Sequence, residues 1–117
     1  MDIMLVNYNL DIVRGSSFIA DLTAKNEDNT AVNLLGYNLR GVIKSKYSDS
    51  TYLLSLSPVV IDSANGKIRI SISAADTATL PVTVGVYDIE MYNNTGYVAK
   101  LLDGRVNIHP EVTDMTL

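Results

Sequence analysis

His109 is the only histidine among 117 residues, and the chain has no cysteine. A Ser-His-Asp relay or an imidazole metal site would have to be built around that one ring. It stands next to Pro110, near the end of the chain, on the face that alternation gives to solvent, and it reads as a surface residue. Asp88 and Glu90 lie two apart, so a strand would carry both carboxylates on one face. Such a pair hydrolyses glycosides when burial raises one pKa and leaves the other group ionised. Tyr87, Ile89 and Met91 occupy the opposite face, however, so these two acids point to water with Lys100 as a cross-strand partner. Asn26-Glu27-Asp28-Asn29 offers oxygen ligands but lacks the glycine and the distal glutamate of a calcium loop, and it reads as a polar turn. Asn93-Asn94-Thr95 has the spacing of a glycosylation acceptor within what is otherwise an ordinary turn. No glycine-rich phosphate loop is present. No catalytic, cofactor-binding or metal-ligating residue is assigned, and no cofactor is expected.

The elements that position these residues follow from composition and periodicity. A chain of this length suits one domain, residues 1–117, and buries roughly two thirds of the surface its unfolded form exposes. At 47% hydrophobic residues it can form a core without disulfides, which suits a reducing compartment. Neither a secretory signal nor a membrane span is expected from the opening Met1-Asp2-Ile3 and from the lack of a long apolar run. Net charge is −4 and the nine basic residues are scattered singly, which argues against a surface that tracks phosphates and hence against a nucleic-acid partner.

Period-two alternation recurs and helical periodicity is nearly absent. Lys67 to Ser73 is the clearest case: Ile68, Ile70 and Ile72 point one way, Lys67, Arg69 and Ser71 the other. Phe18, Ala20, Leu22 and Ala24 form a second inward set, Tyr37, Leu39, Gly41 and Ile43 a third, and Tyr87, Ile89 and Met91 a fourth. Strands are expected over 3–13, 17–25, 36–46, 51–57, 66–72, 84–92 and 97–109. Ser73 to Leu80 opens with a Ser-x-x-Asp capping pattern and is stopped by Pro81, so it predicts one helical turn crossing between sheets. Short strands at turn-punctuated spacing indicate an all-β, immunoglobulin-like antiparallel β-sandwich of about seven strands.

Two registers stay open in the sequence. The turn at Asn93–Gly96 pairs Asp88 with Lys100 if its loop has three residues, and Tyr92 with Tyr97 if it has four; the first keeps each face consistent. After Asp103-Gly104 the apolar positions change from odd (Tyr97, Ala99, Leu101) to even (Val106, Ile108). Asp-Gly is a hairpin signal, and it also suits a β-bulge with a left-handed glycine that shifts parity within one strand; the bulge is the preferred reading.

Several pieces occur in a telling order: "VRGSSF" (13–18), "VNLLGYNLRGVIKS" (32–45), "GKIRISIS" (66–73), "DTATLPVTVGVYDIEM" (76–91) and "LLDGRVNIHPEVT" (101–113). Together they resemble the small immunoglobulin-like domains of tailed-phage virion proteins, including BppU-type baseplate N-terminal domains and small cyanophage structural proteins. The resemblance covers nearly the whole chain and rests on fold-keeping patterns. It implies a non-enzymatic virion building block, assembled in the host cytoplasm, whose partners are other virion proteins and copies of itself in a symmetric assembly, with no membrane partner. A tail, baseplate or tail-fibre-attachment component is the first reading; a capsid decoration protein is the alternative within the class, and a carbohydrate-binding module for the host surface is the alternative outside it. Tyr87 resembles the tyrosine corner of immunoglobulin folds, whose hydroxyl ties the backbone of that corner, although Ile89 stands where those domains have a cysteine.

Seven tyrosines, one phenylalanine and no tryptophan make tyrosine the distinctive side chain. Tyr37 and Tyr87 are assigned to the core. Tyr8, Tyr47, Tyr52, Tyr92 and Tyr97 are expected to be partly exposed, where such rings suit protein interfaces. The candidate partner contacts are Tyr8 on the first strand, Tyr47 and Tyr52 with their loop, and Pro110 and Val112 in the C-terminal tail. The apolar N-terminal strand either closes its own sheet, the preferred reading, or adds to a neighbour's edge.

Overall fold

The computed structural model describes residues 2–112. The alternation of the sequence becomes two packed layers. In β9 (Lys67–Ile72) the three isoleucines are buried while Lys67, Arg69 and Ser71 face solvent. Beside it lie β4 (Phe18–Thr23) and β8 (Val59–Asp62), both antiparallel, in the order β4-β9-β8. The chain of β4 runs on into β5 (Lys25–Asn26), which carries β1 (Ile3–Met4) on its outer edge. The second layer is built on β10 (Val84–Tyr92), with β6 (Asn38–Lys44) on one side and β11 (Val98–His109) on the other. A short β7 (Leu54–Ser55) extends it beyond β6. β2 (Val6–Asn7) and β3 (Leu10–Val13) both pair with β11 in parallel. With the B, E and D strands (β4, β9, β8) in one layer and C, F and G (β6, β10, β11) in the other, this is the immunoglobulin-like order. Ile12, Ile43, Ile68, Ile70, Ile89 and Val106 are fully buried between the layers.

The connections follow the expected turn chemistry. Gly15 and Gly36, at the first turn and at the corner before β6, have positive φ (77° and 83°). The helical turn is α1 (Ala74–Thr77), and the Ser73 hydroxyl accepts the Asp76 amide at 3.2 Å. Thr77 is the one buried polar residue among those described; its hydroxyl donates to the Ser16 carbonyl at 2.8 Å, tying the crossing to the first turn.

The structure revises several expectations. The first strand, expected as one piece over 3–13, is three, because it pairs with β5 and then changes layers to run along β11. Of the strand expected at 51–57, only Leu54 and Ser55 pair, with Ile43 and Val42. β8 was not expected: Val59-Val60-Ile61 does not alternate in hydrophobicity, and it forms an edge strand whose Val59 and Ile61 side chains are exposed.

Both readings of the turn after β10 are also displaced. Tyr92 pairs with Val98, Met91 with Ala99 and Glu90 with Lys100, and the Asn93 amide donates to the Tyr97 carbonyl at 3.1 Å. A three-residue loop is therefore closed by Asn93 and Tyr97, one residue later than expected. β11 is a single strand, as preferred, but its irregularity lies at Leu101, not at Asp103-Gly104. Ile89 faces Leu102 while Glu90 faces Lys100, which leaves Leu101 as the extra residue. Leu101 and Leu102 are then both buried, and the buried parity passes from odd to even. Each leucine side chain gains about 1.5–3 kcal/mol from burial, which outweighs the one disrupted ladder position.

Gly104 serves a different purpose. Its φ is not in the left-handed region, and a Cβ there would run into the Tyr8 carbonyl and lie 3.1 Å from Cε1 of the Tyr87 ring. The Tyr87 hydroxyl donates to that same carbonyl, so it ties the first strand, 79 residues away, and not the local corner expected for it. The Tyr8 amide donates to the Asp103 carbonyl at 2.8 Å, and the Asn9 side-chain oxygen accepts the Arg105 amide at 2.9 Å. These bonds carry the first strand across the break between β2 and β3. Burial, with Asp103 as a lesser influence, pushes the Tyr87 pKa well up, so the hydroxyl remains a donor.

Gly104→Ala is expected to cost about 1–3 kcal/mol, the range for forcing atoms into a filled site. Tyr87→Phe is expected to cost about 1 kcal/mol for the lost hydrogen bond. The two changes act on one contact, so the double variant should lose less than the sum. Urea unfolding midpoints of the three variants measure this, and strict additivity would contradict the shared contact.

Candidate functional site

Four of the five expected contact residues leave the sandwich at the same end. β6 ends beside the start of β10, and β11 ends beside the start of β10 and the end of β3, as the pairs Lys44–Val86, Asn107–Val84 and His109–Val13 show. Tyr47 and Tyr52 project from the loop that follows β6 and are 66% and 59% exposed. Pro110 and Val112 follow β11, both exposed, Val112 fully. Because β6 and β11 flank β10, the strands that lead into these two groups are roughly 10 Å apart. Tyr8 is exposed too but lies midway along the first strand, and it is not brought together with the others. The loop is held by Lys44, whose ammonium donates to the Asp49 carbonyl at 2.9 Å. Beneath Tyr47 lies a depression of about 160 Å³ walled by Val42, Lys44, Val86 and Asp88. It is smaller than the few hundred Å³ that small-molecule sites occupy.

At the opposite end, Tyr37 and Tyr97 pack ring against ring, with centroids 5.8 Å apart and planes tilted by 54°. Tyr37 is half-buried against the core and not enclosed by it. The guanidinium of Arg40 lies 4.6 Å from the centre of the Tyr92 ring and also pairs with Glu90. Such contacts order the side chains at this tip.

The residues weighed for chemistry do not converge. His109 does meet a carboxylate: Nε2 lies 3.0 Å from Oδ1 of Asp11, which also accepts from Asn107 at 3.1 Å. This group sits on an open sheet face, its histidine and aspartate side chains 52% and 68% exposed, and among the described residues no hydroxyl bonds to the ring. Asp88 pairs with Lys100 at 3.3 Å and Glu90 with Arg40, so each carboxylate has its own cation. Asp28 accepts from the amide and hydroxyl of Thr30, which closes the polar turn on itself. Among the described residues no group of three acidic or histidine side chains is placed to hold a metal.

Sequence reading missed Ile19. The inward set Phe18, Ala20, Leu22 and Ala24 implies that Ile19 faces out, and at 68% it is among the most exposed large apolar side chains described. It lines, with Tyr8, Asn9, Leu10, Asp11, Phe18, Ala20 and Asp21, a cleft of about 380 Å³ between the edges of β3 and β4. Parity was the signal, and the apolar residue on the wet side was the exception to it. A scan against models of known protein families and a search of curated proteins each find no match to this chain.

Acid should reveal these surface bonds. The carboxyls of Asp11, Asp21 and Asp28 titrate below the ordinary 3.8, held there chiefly by His109, Arg69 and Thr30 respectively. A carboxyl whose pKa is lower in the folded state stabilises the fold above its unfolded value, and that contribution is lost as pH falls through the folded value. Unfolding free energy is thus expected to decline as pH drops below about 4. Carboxyl NMR titration of His109→Ala should show Asp11 moving up toward its ordinary value while Asp21 stays; an unmoved Asp11 would contradict the assigned cause.

Proposed function

We propose that this chain is a non-enzymatic structural protein of a tailed-phage virion, used in the tail or baseplate and acting through repeated protein–protein contacts. The observation that carries this reading is the end surface formed by Tyr47, Tyr52, Pro110 and Val112, exposed side chains on a sandwich whose chemically capable residues are dispersed over its faces. Tyrosine combines large contact area with few rotatable bonds, so fixing it at an interface costs little entropy. The core sets the shape, and the loops carry the contacts at little cost to it. A rigid unit of this kind suits closed symmetric assemblies, where one patch is used many times. The resemblance of the segments over 13–18, 32–45, 66–73, 76–91 and 101–113 to phage immunoglobulin-like domains supplies the virion part of the reading.

Purified phage particles whose genome encodes this chain provide the test. The chain is expected to co-sediment with intact particles at a fixed stoichiometry, and antibody against it to label the tail end in electron micrographs. Label confined to the head would move the protein to capsid decoration. Absence from washed particles would end the virion reading. Within that reading, Tyr47→Ser with Tyr52→Ser should leave the isolated chain folded and reduce its incorporation at least tenfold.

A further inference from the structure

The first strand covers only part of the outer edge that β4 and β5 share. Met4 pairs with Lys25 and Ile3 with Asn26, and the Glu27 amide donates to the Asp2 carbonyl at 2.8 Å. On this edge, then, the backbone groups of odd-numbered residues point outward. The inner side agrees: the Ala24 amide donates to the Gly66 carbonyl at 2.9 Å, in register with the β4–β9 ladder, so even-numbered residues bond inward. After Leu5 the chain leaves for β11. The outward N–H and C=O groups of Ile19, Asp21 and Thr23 are left without a backbone partner, and among the described residues no side chain reaches them. Those of Ile19 and Asp21 face the cleft bounded on its far side by Tyr8 to Asp11.

Exposed edges are usually blunted by lysine, proline, a bulge or a covering loop. Phe18–Thr23 has no lysine or proline, its ladder to β9 is regular, and it shows Ile19 to solvent. We propose that this edge is a strand-addition site that takes an extended segment of a partner chain, with apolar residues on its inner face and Lys or Arg on its outer face opposite Asp21. The inference concerns the isolated fold and holds whether or not the chain belongs to a virion.

The chemistry of the partner is read from what β4 already accepts. Its other side pairs with Lys67-Ile68-Arg69-Ile70-Ser71-Ile72, where Arg69 lies opposite Asp21 with hydrogen bonds of 2.7 and 3.0 Å, and the isoleucines go to the core. Asp21 remains half-exposed, so a second cation can reach it from the open side. The residues lining the cleft include two carboxylates, Asp11 and Asp21, and no cation. A second copy of β4 fits less well. Antiparallel self-pairing centred on Asp21 opposes two carboxylates, centred on Ala20 it sets Asp21 against Ile19, and centred on Ile19 it sets Asp21 against Ser17. None of these registers brings a cation to Asp21.

The test uses amide hydrogen exchange by NMR on the labelled full chain, with a capped KIRISIS peptide as the added strand and EIEISIS as its acidic counterpart. The amides of Ile19, Asp21 and Thr23 should exchange freely in the chain alone and slow at least tenfold at millimolar KIRISIS, with at least tenfold weaker protection by EIEISIS. Ile19→Pro removes one outward donor and no ladder bond, so it should keep the thermal midpoint and lose the protection. Asp21→Lys should reverse the preference between the two peptides, which keeps the test decisive if the proline variant does not fold. Three results would overturn the proposal: no slowing at millimolar peptide, equal protection by both peptides, or protection without peptide that grows with protein concentration, which would assign the edge to a second copy.

Discussion

Where the first strand changes layers, a backbone carbonyl, a buried phenol and a residue without a side chain meet. The Tyr8 carbonyl accepts the Tyr87 hydroxyl and lies where any Cβ on residue 104 would have to go. This contact needs all three partners: a ring long enough to cross the core, a hydroxyl kept protonated by its burial, and a glycine opposite. Much of the rest depends on it. β2 and β3 can then lie parallel to β11, closing one layer, and the price is an uncovered edge on the other. A buried hydroxyl without a partner is costly, which is why the bond restrains the crossing more firmly than its net worth of about 1 kcal/mol suggests.

The same accommodation explains the irregular strand β11. Its first half must follow the turn after β10, and its second half must lie against β2 and β3. The extra residue at Leu101 reconciles the two, and both leucines stay in the core because the bulge turns the parity there. Charges then follow the ladders. Arg69 meets Asp21 across β9 and β4, Arg40 meets Glu90 across β6 and β10, and Lys100 reaches Asp88 diagonally. Exposed pairs of this kind contribute little to stability.

Most of the fold was legible. Isoleucines at 68, 70 and 72 and the odd-numbered set at 87, 89 and 91 each obey a local rule, and each is found as read. Errors arose where local rules were silent or ambiguous. Val59-Val60-Ile61 has no alternation because it is an edge strand with little to bury, and Asp-Gly at 103–104 satisfies hairpin, bulge and straight strand alike. On the surface, Tyr8, Tyr47 and Tyr52 are exposed as the sequence reading expects, whereas Ile19 was overlooked although alternation alone put it outside.

The sequence by itself determined the class of fold, the inward face of each long strand and the sites of most turns, because these follow from side-chain periodicity and from residues that tolerate or forbid particular backbone angles. Only the tertiary structure decided which strand the first segment leaves and which it joins, where the bulge lies, and which edge remains open. Those are questions of pairing between segments far apart in the chain, and they are settled by steric fit at a few points, such as the one shared by Tyr8, Tyr87 and Gly104, that no local pattern encodes.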